Sequence, residues 1–158
     1  MSELLERRIV ACPYHLAQGY LAQSVEARAD SGETGTLTLS LAVPGGELVK
    51  DVVVRFGRAV DPMHFDQPWQ IHWKPQAGPY PDFEGELAVR ADETYATSQL
   101  ELRGAYRPPG GALGEVFDWA VGTRIARATA QALLERIGGG MEARYCKDEA
   151  AKAAGAAE

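Results

Sequence analysis

Trp69 and Trp73 carry the plainest chemical signal in this 158-residue sequence. With Ile71 they take alternate positions in Trp69-Gln70-Ile71-His72-Trp73-Lys74, so in an extended strand all three share one face. Two indoles side by side make a broad apolar wall, and each brings an N–H that wants an acceptor once buried. Such a wall either packs a core or lines a pocket for an apolar molecule, and both readings stand at this level.

Groups able to move a proton are sparser. His64 and Asp66 lie in the loop from Asp61 to Pro68, where an acid/base pair could reach a cavity mouth; an ordinary polar loop is the favoured account of them. Tyr106 shares the parity of Leu100, Leu102 and Gly104 and could bring a hydroxyl inside. His64, Asp66 and Tyr106 are the candidate catalytic residues. Glu84, Glu86 and Glu101 alternate with Phe83, Leu87, Leu100 and Leu102, which sends them to the wet face, and His72 points away from the tryptophans. The three histidines, His15, His64 and His72, show no metal-ligand spacing, and Cys12 and Cys146 do not supplement them. No metal and no tightly bound cofactor are expected. There is no serine-nucleophile motif, no phosphate-cradling loop and no dinucleotide fingerprint.

The elements that must hold these residues follow from periodicity. Leu4 to Val10 reads as a strand, and Pro13 to Ala29 as a helical segment bent or broken at Gly19. Thr36 to Leu41 then alternates strictly, as a half-buried antiparallel strand does. Leu48–Val60, Trp69–Lys74, the stretch around Phe83–Val89 and Tyr95–Tyr106 continue the pattern, separated by Gly/Pro turns. From roughly Gly114 to Ile137 the period changes. Phe117, Val121, Ile125, Thr129, Leu133 and Ile137 recur every four residues, one ridge of a helix about 37 Å long at 1.5 Å per residue. Gly122, Ala126 and Ala130 make a second, small-residue ridge that admits close approach. Gly138-Gly139-Gly140 is expected to end the helix.

Only this helix is long enough to cover the apolar faces of so many strands, so the sheet should curl around it. The expected fold is α+β: a curved antiparallel sheet of about six strands wrapped on a long C-terminal helix. Residues 1–146 are expected to form one domain, with 147–158 an Ala-rich disordered tail. A net charge of −6 and a pI near 5.1 argue against nucleic acid as partner. The charged start lacks a signal-peptide core and no segment reaches membrane-spanning length, so a cytoplasmic protein is expected.

In Phe83-Glu84-Gly85-Glu86-Leu87, Leu100-Glu101-Leu102-Arg103-Gly104-Ala105-Tyr106, Pro108-Pro109-Gly110, Gly114, Asp118 and Gly122-Thr123-Arg124-Ile125-Ala126, the chain resembles the SRPBCC superfamily of helix-grip proteins. That superfamily includes START domains, Bet v 1-like proteins and polyketide cyclase-like proteins. The resemblance implies an apolar cavity between sheet and C-terminal helix, used by relatives to carry lipids, bind hormones or process polyketide chains. The first helical segment, about 17 residues, is short for such proteins and argues against a closed, sterol-sized cavity.

The resulting expectation is a binder of a small hydrophobic or amphipathic ligand. Its wall would comprise Trp69, Ile71, Trp73, Leu87, Leu100 and Leu102 from the sheet, with Phe117, Val121 and Ile125 from the helix. A polyketide cyclase, aromatase or dehydratase is the alternative, and a protein-interaction module using a sheet edge or groove is a third reading. The sequence leaves the ligand and the oligomeric state open.

Overall fold

The computed structural model describes residues 2–26, 34–42, 49–57, 68–75, 82–107 and 119–156. Strand β1 (Ser2–Val10) leads through Cys12-Pro13 into helix α1 (Tyr14–Glu26). Strands β2 (Thr34–Ala42), β3 (Val49–Gly57), β4 (Trp69–Pro75), β5 (Asp82–Ala91) and β6 (Ser98–Arg107) follow, and α2 (Trp119–Ala156) closes the chain. All six strands form one antiparallel sheet in the order β1-β6-β5-β4-β3-β2. The architecture is the expected α+β layout.

The sheet grips α2. That helix runs alongside β1 and β6 at one edge and approaches β2 at the other, whereas the middle strands stand further from it. Two edges drawn to one helix require a curled sheet. The interval over the middle strands is filled from the inner face by Val54, Phe56, Trp69, Ile71, Trp73, Phe83 and Leu87, all buried. From α2, Ile125, Ala126, Ala130, Leu133, Leu134, Ile137 and Met141 are buried too, so both ridges read from the sequence contribute to the packing.

The axial position of α2 is set by charges on the inner face of β1. Glu6 and Arg8 share the inward parity of Leu4 and Val10, and their side chains are only 11% and 19% exposed. Arg127 Nε donates to Glu6 Oε1 at 2.9 Å, and Gln131 Nε2 reaches Glu6 Oε2 at 3.4 Å. Arg8 donates from Nε to Glu135 at 3.0 Å and from Nη2 to Glu142 at 2.9 Å. The second oxygen of Glu142 accepts the Ala11 backbone N–H at 2.8 Å. Inward charges also discourage further strand pairing at the edge that β1 forms.

Two helix expectations are corrected. Gly138–Gly140 do not end α2, which continues to Ala156. A glycine stops a helix by turning left-handed; here tertiary contacts hold the backbone helical. A side chain at 138 would collide with the Arg8 guanidinium, and one at 140 would lie 3.7 Å from Ser24 Oγ of α1. The glycines are where a strand and a helix come close to α2. Beyond them Met141 is fully buried, Tyr145 packs edge-on against Tyr20 at 6.1 Å, and Tyr20 donates to Asp148 at 2.6 Å. The expected disordered tail is therefore helical through 156, and its docked part extends past residue 146. Its last turns are exposed.

Likewise, α1 is one unbroken helix through Gly19. A side chain at 19 would meet nothing within 4 Å. The helix tolerates the roughly 1 kcal/mol glycine penalty because Ala17, Tyr20, Leu21 and Val25 bury its other side.

Cys12 is buried and Cys146 exposed. Burial, with the charge of Glu142 adding to it, pushes the Cys12 thiol up to about 11, which leaves it unreactive. Among the described residues no helix is long and apolar enough to cross a membrane.

Two tests follow from this docking. Gly139→Ala, with open space around position 139, should stabilise the fold by about 0.5–1 kcal/mol in denaturant titration. Gly138→Ala should lose stability instead, because Arg8 must leave its two carboxylates. Equal effects of the two would show that α2 does not dock on Arg8. The second test uses pH. Burial raises the Glu142 carboxyl, but hydrogen bonds from the Ala11 N–H and Arg8, together with the Arg8 charge, outweigh it and leave the group below its ordinary value. A carboxyl lowered on folding stabilises above its unfolded value of about 4.3 and loses that contribution as pH falls through its folded value. Glu142→Gln should thus be less stable than the parent at pH 7, and the gap should close as pH is lowered from about 5 towards 3. A gap constant with pH would contradict the assignment.

Candidate functional site

Cross-strand register brings the inward residues into rows. Val54 faces Trp73, Trp73 faces Phe83, and Phe83 faces Tyr106. In the next row Phe56, Ile71, Gly85, Gly104 and Leu4 are opposed in turn, and in the third, Trp69, Leu87 and Leu102.

Two glycines face each other across β5 and β6 for a steric reason. The Phe83 ring tip lies 2.7 Å from where a Cβ would stand on either Gly85 or Gly104, and the carbonyl oxygens of Arg103 and Glu84 are closer still. The ring therefore lies over bare backbone. Trp73 stacks on Phe83 with centroids 4.1 Å apart and planes 16° from parallel. Glycine backbone, phenyl and indole form three successive layers at the middle of the sheet.

Polar atoms inside are few. The Tyr106 and Thr123 hydroxyls share a 2.6 Å hydrogen bond between β6 and α2. Thr129 Oγ1 donates to the Ile125 carbonyl at 2.7 Å. Trp73 Nε1 is buried with no hydrogen-bond partner, and so is Ser24 Oγ where α1 meets Gly140.

The candidate wall residues that can be placed share the inner face. Ile71, Trp73, Leu87, Leu100 and Leu102 are at most 1% exposed, Trp69 and Ile125 5%, and Tyr106 3%. A side chain beside a water-sized void would keep surface against it, so the first five are close-packed in this form. Phe117 and the side chain of Val121 lie outside the described residues, as do His64 and Asp66. Tyr106 is thus the only candidate catalytic residue the structure places, and it is tied to Thr123.

The outer face carries the remaining charges. Glu84 and Glu86 are exposed, and His72 lies opposite Glu84 on the same face. Glu101, read as a wet residue, does point outward but is only 3% exposed. Arg7 and Arg90 cover it with hydrogen bonds of 2.9 and 3.1 Å, and Arg103 stands at 3.8 Å. Burial raises its carboxyl, and the arginines more than reverse this, holding it below its ordinary value. It is a structural carboxylate. Among the described residues no group of three His, Cys, Asp or Glu side chains could hold a metal ion.

No family model matches the sequence, and no curated protein matches it. Solved structures do. The aromatase/cyclase Zhui from Streptomyces sp. R1128 superposes with a TM-score of 0.61 at 14% identity, over 90% of this chain and 94% of that one. The chain has the helix-grip fold. A protein from Thermus thermophilus matches with a TM-score of 0.56 at 14% identity, over 90% of this chain and 99% of that one. The di-domain ARO/CYC BexL from the BE-7585A biosynthetic pathway matches with a TM-score of 0.50 at 15% identity; the alignment spans 93% of this chain but 47% of BexL. At such identities the likeness concerns architecture, not chemistry.

Sequence reading named the indoles but missed two partners. Thr123 lies off the apolar ridge of the helix and shows itself only through Tyr106. The glycine pair left a legible trace: Phe83-x-Gly85 and Gly104-x-Tyr106 are what a ring folded over a neighbouring strand requires. Gly104→Ala should cost about 1–3 kcal/mol, since its Cβ would meet backbone that cannot move alone. Gly57→Ala, with nothing within 4 Å, should change stability by less than about 0.5 kcal/mol. Similar unfolding midpoints for the two variants would refute the layered packing.

Proposed function

We propose that this protein binds a small hydrophobic or amphipathic molecule between α2 and the middle strands of the sheet. The observation that carries the reading is the grip itself: α2 approaches both edges of the sheet, and large side chains rather than backbone bridge the interval at its centre. Side chains can repack around a guest where two directly apposed backbones could not. Burial of the guest supplies roughly 25 cal/mol per Å² of apolar surface, offset by immobilisation and by moving residues that now fill the space. The wall on this reading is Trp69, Ile71, Trp73, Leu87, Leu100, Leu102 and Ile125, together with Phe117 and Val121. One domain supplies the binding unit, residues 1–146 together with the turn of α2 that carries Asp148.

A second reading rests on the Tyr106–Thr123 pair. Two of the similar structures are described as aromatase/cyclases, and a hydroxyl pair facing a bound chain could polarise a carbonyl of a polyketide-like substrate. His64 and Asp66 are the groups that would then act as acid and base.

A neutral apolar dye, N-phenyl-1-naphthylamine, tests the first reading. Binding should be saturable, should change tryptophan fluorescence, and should raise the unfolding free energy by about 2.7 kcal/mol at a hundredfold excess over Kd. Absence of saturable binding by this dye and by a long-chain fatty acid would sink it. Tyr106→Phe then separates carrier from enzyme. A carrier loses about 0.5–1.5 kcal/mol of affinity or less, whereas an enzyme using this hydroxyl loses turnover by about 100-fold or more.

A further inference from the structure

We infer that the ligand carries a hydrogen-bond-accepting oxygen, a ketone or similar carbonyl on a flat apolar body, and that Trp73 Nε1 is the donor that receives it. This rests on the binding reading above and adds the chemical class of the guest. Trp73 is 0% exposed, and its Nε1 has no partner in the protein and no contact with solvent. A buried, unpaired N–H costs about 1–3 kcal/mol, a penalty that Phe at this position would avoid while keeping an aromatic ring. The indole is also held in place: Phe83 stacks on it at 4.1 Å, and the glycine pair beneath fixes Phe83. The donor is therefore rigid before any guest arrives, which lowers the ordering cost of using it.

Its neighbourhood limits what can satisfy it. Val54 and Phe83 oppose Trp73 across the two adjacent strands, so the surroundings favour a guest that is apolar apart from its acceptor. In the same row the Tyr106 hydroxyl has a partner, Thr123 of α2, at 2.6 Å, whereas Trp73 Nε1 has none. An aromatic ketone meets both demands, offering a flat body to the stacked rings and an oxygen to the indole. A saturated hydrocarbon meets only the first.

Two naphthalenes of nearly equal shape separate these possibilities: 2-acetylnaphthalene and 2-isopropylnaphthalene. Each is titrated into the full chain by calorimetry and followed in parallel by the three tryptophan indole N–H resonances of ¹⁵N-labelled protein, with Trp73→Phe identifying one of them. The preference for ketone over hydrocarbon should fall about tenfold from wild type to Trp73→Phe. In the wild type the Trp73 N–H resonance should move downfield with the ketone and not with the hydrocarbon. Binding of both compounds with an unmoved Trp73 N–H, or with a preference unchanged in Trp73→Phe, overturns this inference and leaves the binding reading intact. Binding of neither overturns the binding reading, and this inference with it. If Trp73→Phe does not fold, Trp69→Phe and Trp119→Phe assign the Trp73 resonance by exclusion, and its response in the wild type decides the matter.

Discussion

The contact between the inner face of β1 and one stripe of α2 governs the rest of the structure. Glu6 and Arg8 are opposite charges two residues apart on a covered face, and each needs a partner there. Arg127, Gln131, Glu135 and Glu142 recur at spacings of four, four and seven, one side of a helix. Arg127 meets Glu6, and Glu135 and Glu142 meet Arg8. Sliding α2 by two turns would set Glu135 against Glu6, so alternating sign fixes the register as well as the contact. Gly138, between the two carboxylates that hold Arg8, removes the side chain that would block the guanidinium.

With α2 fixed at that edge and close to β2 at the other, the size of the central interval follows. Phe56, Trp69, Ile71, Trp73 and Phe83 fill it. A core built from large side chains reaching inward from a curved sheet differs from one built by direct apposition of two backbones. The first can exchange some of its contacts for those of a guest at comparable density, because the frame around it is fixed by other contacts. The frame here is the ion-paired edge, the Tyr20–Asp148 and Tyr20–Tyr145 contacts between α1 and α2, and the Ser98 hydroxyl bonded to the Cys12 carbonyl at 2.8 Å. None of these involves a candidate wall residue. Repacking the wall therefore leaves the frame in place.

The parity of the strands was legible in the sequence because it depends on a two-residue period and little else. Trp69, Ile71, Trp73, Leu87, Leu100, Leu102 and Tyr106 all lie on the face assigned to them, and Ile125 is buried on α2. What could not be read locally was where tertiary contact overrides a residue's own preference. Gly138–Gly140 look like a helix stop, yet the helix runs on, and at 138 the Arg8 guanidinium occupies the space a side chain would need. Gly19 looks like a break, yet neighbours on the far side of α1 hold the helix. Glu101 reads as a solvated carboxylate, and its parity is right; its burial comes from arginines on three different strands, β1, β5 and β6, that only the folded sheet brings together.

Charge placement also bears on what the interior can do. A proton-transfer mechanism needs a group that gives and takes a proton beside the bound molecule. Among the described residues the inward carboxylate of β1, Glu6, is held by Arg127 and Gln131. Glu101 lies beneath arginines on the opposite side of the sheet, and Glu84 and Glu86 are exposed there. Among the described residues, the polar groups on the inner side of the sheet include an indole N–H and a pair of hydroxyls. Groups of these kinds can hydrogen-bond to a carbonyl, but none of them takes a proton from carbon as a carboxylate or imidazole base does. On the enzyme reading proposed above, His64 and Asp66 are the groups that remain to serve as acid and base, and the hydroxyl pair is left to hydrogen-bond the substrate.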